Sequence, residues 1–344
     1  MQVRYWTHQL KFRYPFTISK GTKTHQPTLI VELSLGSWKG YGEAPSISYY
    51  PESLLETMTA LLENKKLGIE KFAFTDPERY WHYLHHLIPG SNFLIAALDI
   101  AGWDLYGNMK KKSLQSIWGI SNQAGPKTDY TIGIDAATIM ATKMRERDWP
   151  IYKIKVGTPE DLKLLSFLRT KSDKLFRVDA NAGWTLDEAL LIIPKLKELG
   201  VELIEQPLAK DNWEGMRILK EMNLIPLFAD ESCVTEKDVA KCALYFNGIN
   251  IKLTKCGGIT PARRMITEAR SLGLQVMLGS MNESSVGSAA LGQLHPLVDA
   301  LDMDGPLLLE QDVATGLQYD NGLVIVSNQP GLGIHYTGII KSEH

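Results

Sequence analysis

Five short apolar runs between residues 151 and 253 each end at charged side chains. These residues are Lys153 and Lys155 on the first run, then Asp179, Glu205, Asp230 and Lys252 on the next four. A charge at the tip of a buried strand is costly unless another charge pairs with it. Five such tips in succession therefore indicate a divalent metal site flanked by bases.

The three carboxylates come from consecutive predicted strands and would be neighbours around the rim of a barrel. Asp179, Glu205 and Asp230 offer the hard oxygen ligands that suit Mg²⁺, which keeps positions open for water or substrate oxygens. The alternative is that each carboxylate caps the next helix or pairs with a nearby lysine. Their repetition at three strand ends favours the metal.

The lysines are candidate acid/base groups. Side chains two apart on a strand share a face, so Lys153 and Lys155 are predicted to point into one barrel mouth, where mutual proximity and a metal would lower the lysine pKa. Lys252 would approach from the opposite side, unless it is a surface lysine. Two bases facing across a metal-bound carboxylate can invert the adjacent carbon through an enediolate. Lys255 is expected to be exposed and to take no part.

The last predicted strand ends in a same-face pair of acids, Asp302 and Asp304. Two acids at this position can hold an ammonium group, although an aspartate turn that stabilises the loop is the alternative. No histidine stands at the predicted strand ends, which argues against a zinc hydrolase.

Two kinds of segment position these residues. Residues 28–33 and 38–43 are predicted to form an antiparallel hairpin, and helical periodicity covers 52–64, 77–87 and 91–109, which together indicate an α+β domain over 1–120. From residue 128 onward, strands alternate with helices in a repeat of roughly 22 to 28 residues, as a closed parallel barrel requires. The predicted strand ends are Thr131, Lys155, Asp179, Glu205, Asp230, Lys252, Ser280 and Asp302.

The barrel is predicted to span residues 121–314, with a tail at 315–344 that packs back on the first domain. A doubly wound open sheet is the alternative, but no glycine-rich dinucleotide loop follows the first strand of the repeat. The chain has 344 residues, 44% of them hydrophobic, and a formal charge of −2. These values favour a small-molecule enzyme over a nucleic-acid or membrane partner.

Three cysteines without close spacing suit a reducing cytoplasm, and no segment reads as a signal peptide or membrane span. We therefore expect a cytoplasmic protein.

The charged strand ends resemble the enolase superfamily, specifically its muconate-lactonizing-enzyme-like subgroup. The likeness covers nearly the whole chain; besides the strand ends it includes Gly40-Tyr-Gly-Glu-Ala44 and Ala97-Leu-Asp-Ile-Ala-Gly-Trp-Asp104. It implies a (β/α)7β modified TIM barrel under an N-terminal α+β capping domain. It also implies one Mg²⁺ per subunit on the three carboxylates, with Lys155 and Lys252 as opposed acid and base. Lys153 would contact the substrate carboxylate and tune Lys155.

Within that subgroup, Asp302-Met-Asp304 is similar to the motif with which dipeptide epimerases bind the substrate's N-terminal ammonium. The resemblance implies that Thr131 and the segment Ser280-Met281-Asn282 line the site. The reaction would be epimerisation of the second residue of a dipeptide, in an enzyme expected to be a homo-oligomer. Alternatives on the same scaffold are an N-acylamino-acid racemase, an o-succinylbenzoate synthase or a cycloisomerase. A non-catalytic barrel that binds peptides or metabolites is the alternative of another class.

One departure from the family bears on specificity. Members acting on Ala-Glu place an arginine in the capping loop, whereas residues 18–24 here contain only Lys20 and Lys23 as cations. An ammonium is a weaker match than a guanidinium for a carboxylate. The expected substrate therefore has a small or apolar second residue, as in Ala-Ala or Ala-Val.

Overall fold

The computed structural model of the chain describes residues 1–120 and 123–341, with side chains described up to residue 338. The first sheet is antiparallel and has the order β1 (Gln2–Ile18), β2 (Gly21–Leu35), β3 (Trp38–Pro45). The predicted hairpin corresponds to β2 and β3 and is confirmed. The long first strand was not predicted, because its buried positions do not alternate regularly.

Four helices follow the sheet: α1 (Leu55–Lys71), α2 (Pro77–Leu87), α3 (Asn92–Lys110) and the short α4 (Leu114–Ile117). The first and third pack against the sheet, and α2 packs against both of them. The first begins three residues later than predicted, because Pro51–Ser53 form a separate 3₁₀ turn. The third is packed tightly against β3, where a Cβ atom on Gly42 would lie 1.9 Å from the carbonyl oxygen of Ala97. Glycine in the Gly40–Ala44 segment is thus what lets the helix approach the sheet.

Eight parallel strands form the second sheet. They are β4 (Tyr130–Ile132), β5 (Ile151–Lys155), β6 (Leu175–Asp179), β7 (Val201–Glu205), β8 (Leu227–Ala229), β9 (Gly248–Ile251), β10 (Gln275–Gly279) and β11 (Ala300–Asp302). They are hydrogen-bonded in sequence order, and a bridge between Thr128 and Leu301 joins the two ends. The predicted barrel is confirmed, and the open doubly wound sheet is excluded.

Helices connect and follow the strands. They are α5 (Ala137–Glu146), α6 (Asp161–Arg169), α7 (Leu186–Glu198), α8 (Trp213–Glu221), α9 (Glu236–Tyr245), α10 (Leu253–Cys256), α11 (Ile259–Ser271), α12 (Ser285–Leu294) and α13 (Gly305–Leu308). A 3₁₀ turn at His295–Leu297 precedes β11. Because only the four-residue α13 follows the last strand, the barrel has the (β/α)7β form. No helix within residues 1–120 and 123–341 is long and apolar enough to cross a membrane.

The C-terminal segment returns to the first sheet. Its strands are β12 (Gln311–Thr315), β13 (Gln318–Asp320), β14 (Leu323–Ile325) and β15 (His335–Lys341). The hydroxyl of Tyr336 lies 3.0 Å from Nε2 of His8 on β1, and the backbone N–H of Leu332 donates to Asp104 on α3 at 2.7 Å. We propose 1–120, 121–314 and 315–344 as capping domain, barrel and tail; residues 121–122 and 342–344 lie outside the described part.

Candidate active site

The predicted charged residues lie together at the carboxyl ends of the barrel strands. Lys155 on β5 pairs in register with Asp179 on β6, which pairs with Glu205 on β7. Asp230 follows β8 directly and Lys252 follows β9. Charged groups from five consecutive strands therefore meet at one mouth of the barrel, because the carboxyl ends of parallel strands lie at the same rim.

Lysine ammonium groups lie between these carboxylates. Lys155 Nζ is 2.6 Å from Asp179 Oδ2, and Lys252 Nζ is 2.9 Å from Asp230 Oδ2. Lys153 lies deeper, 2% exposed, with its Nζ 2.8 Å from Glu205 Oε2 and 3.1 Å from Asp179 Oδ2. Each buried charge is thus paired, which removes most of the cost of burying it.

The expectation for Lys255 was wrong. Its side chain is 1% exposed, and its Nζ donates to Asp230 Oδ1 and to the carbonyl oxygens of Asp230 and Cys233. Lys255 lies in the short helix α10, which packs against α3, and its ammonium reaches the same carboxylate that Lys252 contacts. The sequence gives no period-two signal for it, because Lys255 lies beyond the strand.

Asn250 and Asn181 are site residues that were not predicted as such. Asn250 Nδ2 donates to Glu205 Oε1 at 2.8 Å. Asn250 lies on β9, two residues before Lys252. Side chains two apart in an extended segment share a face, and this rule, which paired Lys153 with Lys155, would have found Asn250. Asn181 follows β6 with a positive φ of 45° and lines the cavity described below.

A cavity of about 370 Å³ opens above these groups, between the barrel mouth and the first sheet. Lys155 and Lys252 both line it. Because β5 and β9 are four strands apart in an eight-stranded barrel, the two amines approach from opposite sides. The other predicted residues on its wall are Thr131, Asp230, Ser280, Met281, Asn282 and Asp302.

Two of the lysines are held in the charged form by the carboxylates around them. Burial disfavours the charged forms of Lys153 and Lys252, but the carboxylates that face them outweigh burial and raise both pKa values well above the usual range. For Lys252 the main carboxylate is Asp230; for Lys153 it is Asp302. A metal that takes up the charge of these carboxylates is part of the predicted lowering of the lysine pKa, which therefore stays a prediction.

The three predicted metal ligands retain features of an ion site. Burial, reinforced by the charge of Asp179, raises the pKa of Glu205 to about 7. Glu205 Oε2 is close to Lys153 but has no hydrogen bond of good geometry within the described residues, and Asn181 Oδ1 is likewise buried without one. Hard oxygen donors left unsatisfied at adjacent strand ends fit Mg²⁺. Asp179, Glu205 and Asp230 are therefore the residues that would hold it.

A second acidic cluster lies beside this one. Carboxylate oxygens of Asp129, Asp302 and Asp304 come within 4.8 Å of one another. Arg177 Nη1 already donates to Asp129 Oδ2 at 3.0 Å, and Lys153 Nζ donates to Asp302 Oδ2 at 2.6 Å. Asp129 Oδ1 is nevertheless buried without a hydrogen-bond partner among the described residues, so this cluster is a second candidate ion site beside the trio on β6, β7 and β8.

The two acids predicted to bind an ammonium group, Asp302 and Asp304, lie at different depths. Asp302 lines the cavity, whereas Asp304 is 1% exposed and accepts a hydrogen bond from the backbone N–H of Thr131 at 2.5 Å. Burial, reinforced by the charge of Asp302, raises the pKa of Asp304 to about 7. One carboxylate thus faces the cavity, with a second group behind it.

The tip of the β1–β2 hairpin covers the cavity from the side of the first sheet. Lys20 and Lys23 both line it, together with the apolar side chains of Phe16, Ile18 and Leu54. No arginine is present in this tip. This side of the cavity wall therefore combines apolar side chains with two lysine side chains.

Comparisons with known proteins agree with the fold. The family model "Mandelate racemase / muconate lactonizing enzyme, N-terminal domain" matches residues 1–119, and "Enolase C-terminal domain-like" matches residues 136–338. The chain belongs to this family within the enolase superfamily, as the strand-end motifs predicted.

Individual relatives cover almost the whole chain. A Maribacter sp. protein named L-Ala-D/L-amino acid epimerase is 47% identical, over 97% of this chain and 99% of its own length. A protein of the same name from Flavobacterium johnsoniae is 45% identical, over 95% and 97%. The dipeptide epimerase from Cytophaga hutchinsonii, solved with Mg and D-Ala-L-Val, superposes with a TM-score of 0.93 at 26% identity, covering 98% of this chain and 96% of that one. The predicted enzyme class, an epimerase among the isomerases, is confirmed.

Proposed function

We propose that this protein is a Mg²⁺-dependent dipeptide epimerase that inverts the α-carbon of the second residue. The observation that carries the proposal is the pair of amines, Lys155 and Lys252, that enter one cavity from strands on opposite sides of the barrel. An acidic group, Asp302, lies on the same wall and suits a free ammonium. The names of the relatives from Maribacter and Flavobacterium support the substrate class.

Proton transfer is the work of the two lysines. One amine, in its neutral form, removes the α-proton from one face of the carbon, and the other, as an ammonium, returns a proton to the opposite face. For the reverse reaction the two exchange roles. Bound Mg²⁺ would supply the positive charge that stabilises the second negative charge of the enediolate.

The remaining residues position the dipeptide. Asp302 would accept hydrogen bonds from the N-terminal ammonium, with Asp304 reinforcing the negative potential from behind. Thr131 and the segment 280–282 would line the groove along the peptide. Lys153 is not among the residues that line the cavity, so its contact with the substrate carboxylate and its tuning of Lys155 stay predictions. With three carboxylates around its ammonium, it would hold the metal trio and the ammonium site at a fixed separation.

A small or apolar second residue is proposed as the preferred substrate. The hairpin tip contributes Phe16 and Ile18 and has no arginine for bidentate capture of a carboxylate. The Cytophaga structure was solved with D-Ala-L-Val, whose second residue is apolar. L-Ala-L-Ala and L-Ala-L-Val are therefore the first substrates to test.

Deuterium exchange tests the function directly. The protein is incubated with Mg²⁺ and a small dipeptide library in deuterated water, and products are analysed by mass spectrometry and chiral chromatography. We expect one deuterium at the second α-carbon, accompanied by the epimer. Absence of label from every dipeptide, while N-acylated amino acids become labelled, would reject the dipeptide in favour of an N-acylamino-acid racemase.

The Asp302→Asn variant separates the same two functions. Loss of the carboxylate should reduce kcat/KM for free dipeptides by at least about tenfold, since a charge-assisted hydrogen bond is lost. N-acetylated substrates carry no ammonium and should be affected far less. Equal losses for both kinds of substrate would contradict an ammonium site at Asp302.

A further inference from the structure

The three carboxylates that would hold the ion share one arrangement. One oxygen of each carboxylate accepts a hydrogen bond from a fixed donor, and the other oxygen lies beside a lysine ammonium. The fixed donors are the backbone N–H of Asn181 to Asp179 Oδ1 at 2.9 Å, Nδ2 of Asn250 to Glu205 Oε1 at 2.8 Å, and Nζ of Lys255 to Asp230 Oδ1. The other oxygens, Oδ2, Oε2 and Oδ2, each lie 2.6–2.9 Å from the nearest lysine Nζ. An ion would therefore meet these second oxygens, because the first already have donors.

Asn250 is the donor whose burial packing alone does not explain. Its side chain is fully buried, and its Oδ1 has no hydrogen-bond partner within the described residues. A buried amide that pairs only one of its two polar atoms costs free energy. An apolar side chain of the same size would avoid that cost, so the hydrogen bond to Glu205 is what the amide contributes at this position.

A glycine on the neighbouring strand makes room for this amide. Asn250 lies on β9 and Gly279 on β10, and a Cβ atom on Gly279 would lie 2.3 Å from Asn250 Oδ1 and 2.6 Å from Asn250 Nδ2. The φ angle of Gly279 is outside the left-handed region that favours glycine. Space for the side chain of Asn250, and not backbone conformation, is therefore the physical reason for glycine at this position.

We propose that Asn250 is a positioning residue for the central metal ligand: it holds Glu205 Oε1 so that Oε2 is presented to Mg²⁺, and Gly279 provides the space that it needs. The inference rests on the Mg²⁺-dependent function proposed above and deepens the account of its ion site. A glutamate side chain rotates about three bonds, so without this donor the carboxylate loses its fixed orientation beside Asp179. Removal of a hydrogen-bond partner behind a metal ligand typically weakens metal binding by about 10- to 100-fold.

The test measures, by differential scanning fluorimetry, the Mg²⁺ concentration that gives half of the rise in melting temperature. It compares the wild type, Asn250→Ala, Gly279→Ala and the double variant, each relative to the same protein in EDTA, so that a loss of packing cancels. We expect each single variant to need at least about tenfold more Mg²⁺, because Gly279→Ala displaces the amide that Asn250→Ala removes. The double variant should need no more Mg²⁺ than Asn250→Ala, since the added Cβ atom then meets no amide.

Asn108→Ala is the matched control for the loss of a buried amide donor. The Nδ2 of Asn108 donates to the carbonyl oxygen of Lys39 at 2.9 Å and to Asp104 at 3.2 Å, and to none of the three metal carboxylates. This variant should therefore keep the Mg²⁺ concentration that the wild type needs, even where its melting temperature is lower.

Several outcomes would overturn the inference. An Asn250→Ala protein that needs no more Mg²⁺ than the wild type means that Glu205 does not depend on this hydrogen bond. A double variant weaker than both single variants by a further tenfold means that Gly279 acts independently of Asn250. If Asn250→Ala does not fold, Gly279→Ala keeps the amide and must give the same shift. A wild type whose melting temperature does not respond to Mg²⁺ rejects the ion site and this inference together, whereas a wild type that binds Mg²⁺ and labels no dipeptide rejects only the proposed substrate.

Discussion

Each carboxylate at the barrel mouth faces an ammonium in the structure: Asp179 faces Lys155, Glu205 faces Lys153, and Asp230 faces Lys252. Burial raises the pKa of Asp179 and Asp230, but the lysines outweigh it and hold both pKa values below the usual range. At the residue scale, each negative charge at the barrel mouth is therefore balanced by the positive charge of a lysine beside it. Such a set can be buried only as a whole, since the loss of one member leaves its partner uncompensated.

The two-base proposal predicts a stereochemical signature in single lysine variants. Lys155→Ala and Lys252→Ala should each lower the rate of epimerisation by at least about 100-fold, the range for loss of a general acid/base. Each variant should still exchange the α-proton of one epimer, because the remaining amine faces one side of the carbon. Chiral analysis of label in the recovered substrate measures this.

Asn250→Ala is the matched control for these variants, since it removes a buried polar neighbour of Glu205 without touching either amine. It should reduce exchange of both epimers alike. If both lysine variants exchange the same epimer, the amines do not act on opposite faces.

The proposed ion site predicts metal-dependent stability. An ion held by carboxylates that come together only in the folded chain would stabilise that state, so we expect the melting temperature to rise with Mg²⁺ concentration and to fall on chelation with EDTA. Glu205→Gln should abolish the rise, because it removes the charge of the central ligand. Differential scanning fluorimetry with and without Mg²⁺ measures this independently of activity.

The matched control acts on the other acidic cluster. Asp129→Asn removes a negative charge from the second cluster and leaves the trio unchanged, so the Mg²⁺-dependent rise should stay in place. If Asp129→Asn removes the rise while Glu205→Gln keeps it, the ion binds the second cluster instead.

At the scale of elements, the loop between β10 and α12 is fixed from outside the barrel. Glu43 on β3 accepts hydrogen bonds from the backbone N–H groups of Ser284 and Gly287 at 3.0 and 2.9 Å, and from the hydroxyls of Ser284 and Thr28. A carboxylate from the first sheet thus caps the N-terminus of a barrel helix. Because Ser280, Met281 and Asn282 immediately precede this cap, it also holds one wall of the cavity.

The Glu43→Ala variant tests this connection. It leaves buried donors unpaired and should lower the free energy of unfolding by about 2 kcal/mol or more. It should also raise KM for dipeptides. Thr28→Val, which removes a single donor to the same carboxylate, should cost about 1 kcal/mol. Urea denaturation measures both, and a smaller loss in Glu43→Ala than in Thr28→Val would contradict the capping role.

The same loop contains a buried acid with a predicted pH effect. Glu283 accepts a hydrogen bond from the N–H of Met281 at 2.7 Å, and burial raises its pKa to about 8. The folded state thus binds this proton more tightly than the unfolded state, so its stabilising contribution is full at low pH and is lost as pH rises toward 8. Glu283→Gln does not titrate, so its unfolding free energy relative to wild type should increase between pH 5 and 8. Urea denaturation in EDTA measures this, and a difference independent of pH would contradict it.

The strand ends could be predicted because two signals coincide there, an apolar run and a charge that ends it. All eight predicted ends, from Thr131 to Asp302, lie within one residue of the observed ends. Lys255 had no such signal, since it lies beyond the end of β9 and its partners are carbonyl oxygens in the loop that follows β8. Strand β1 was missed for a related reason: its side chains are partly buried by the tail, which is remote in sequence. The barrel strands could therefore be predicted from local sequence pattern. The burial of Lys255 and the extent of β1 could not, because they depend on packing between segments remote in sequence.

At the scale of the whole molecule, buried carboxylates join the first sheet, the barrel and the tail. The backbone and hydroxyl of Thr260 on α11 donate to Asp99 on α3 at 2.9 and 2.7 Å. The backbone and hydroxyl of Ser285 on α12 donate to Asp312 on β12 at 3.0 and 2.7 Å. Asp99 lies in the Ala97–Asp104 segment on which the family resemblance rested. These links hold the first sheet over the barrel mouth.

Asp104 gives the last prediction, because it is the link between the first sheet and the tail. Its two oxygens accept from different backbone donors, Oδ2 from Tyr41 N–H at 2.8 Å and Oδ1 from Leu332 N–H at 2.7 Å. An asparagine can accept only one of them and turns its own N–H₂ toward the other, so Asp104→Asn should lower the free energy of unfolding by about 1–3 kcal/mol. Limited proteolysis should then cleave the tail sooner. Asn108→Ala removes a 3.2 Å contact to the same carboxylate and a 2.9 Å hydrogen bond to the carbonyl of Lys39, but neither backbone donor, so it should change both measurements less. Equal effects from the two variants would show that the paired backbone donors are not what holds the tail.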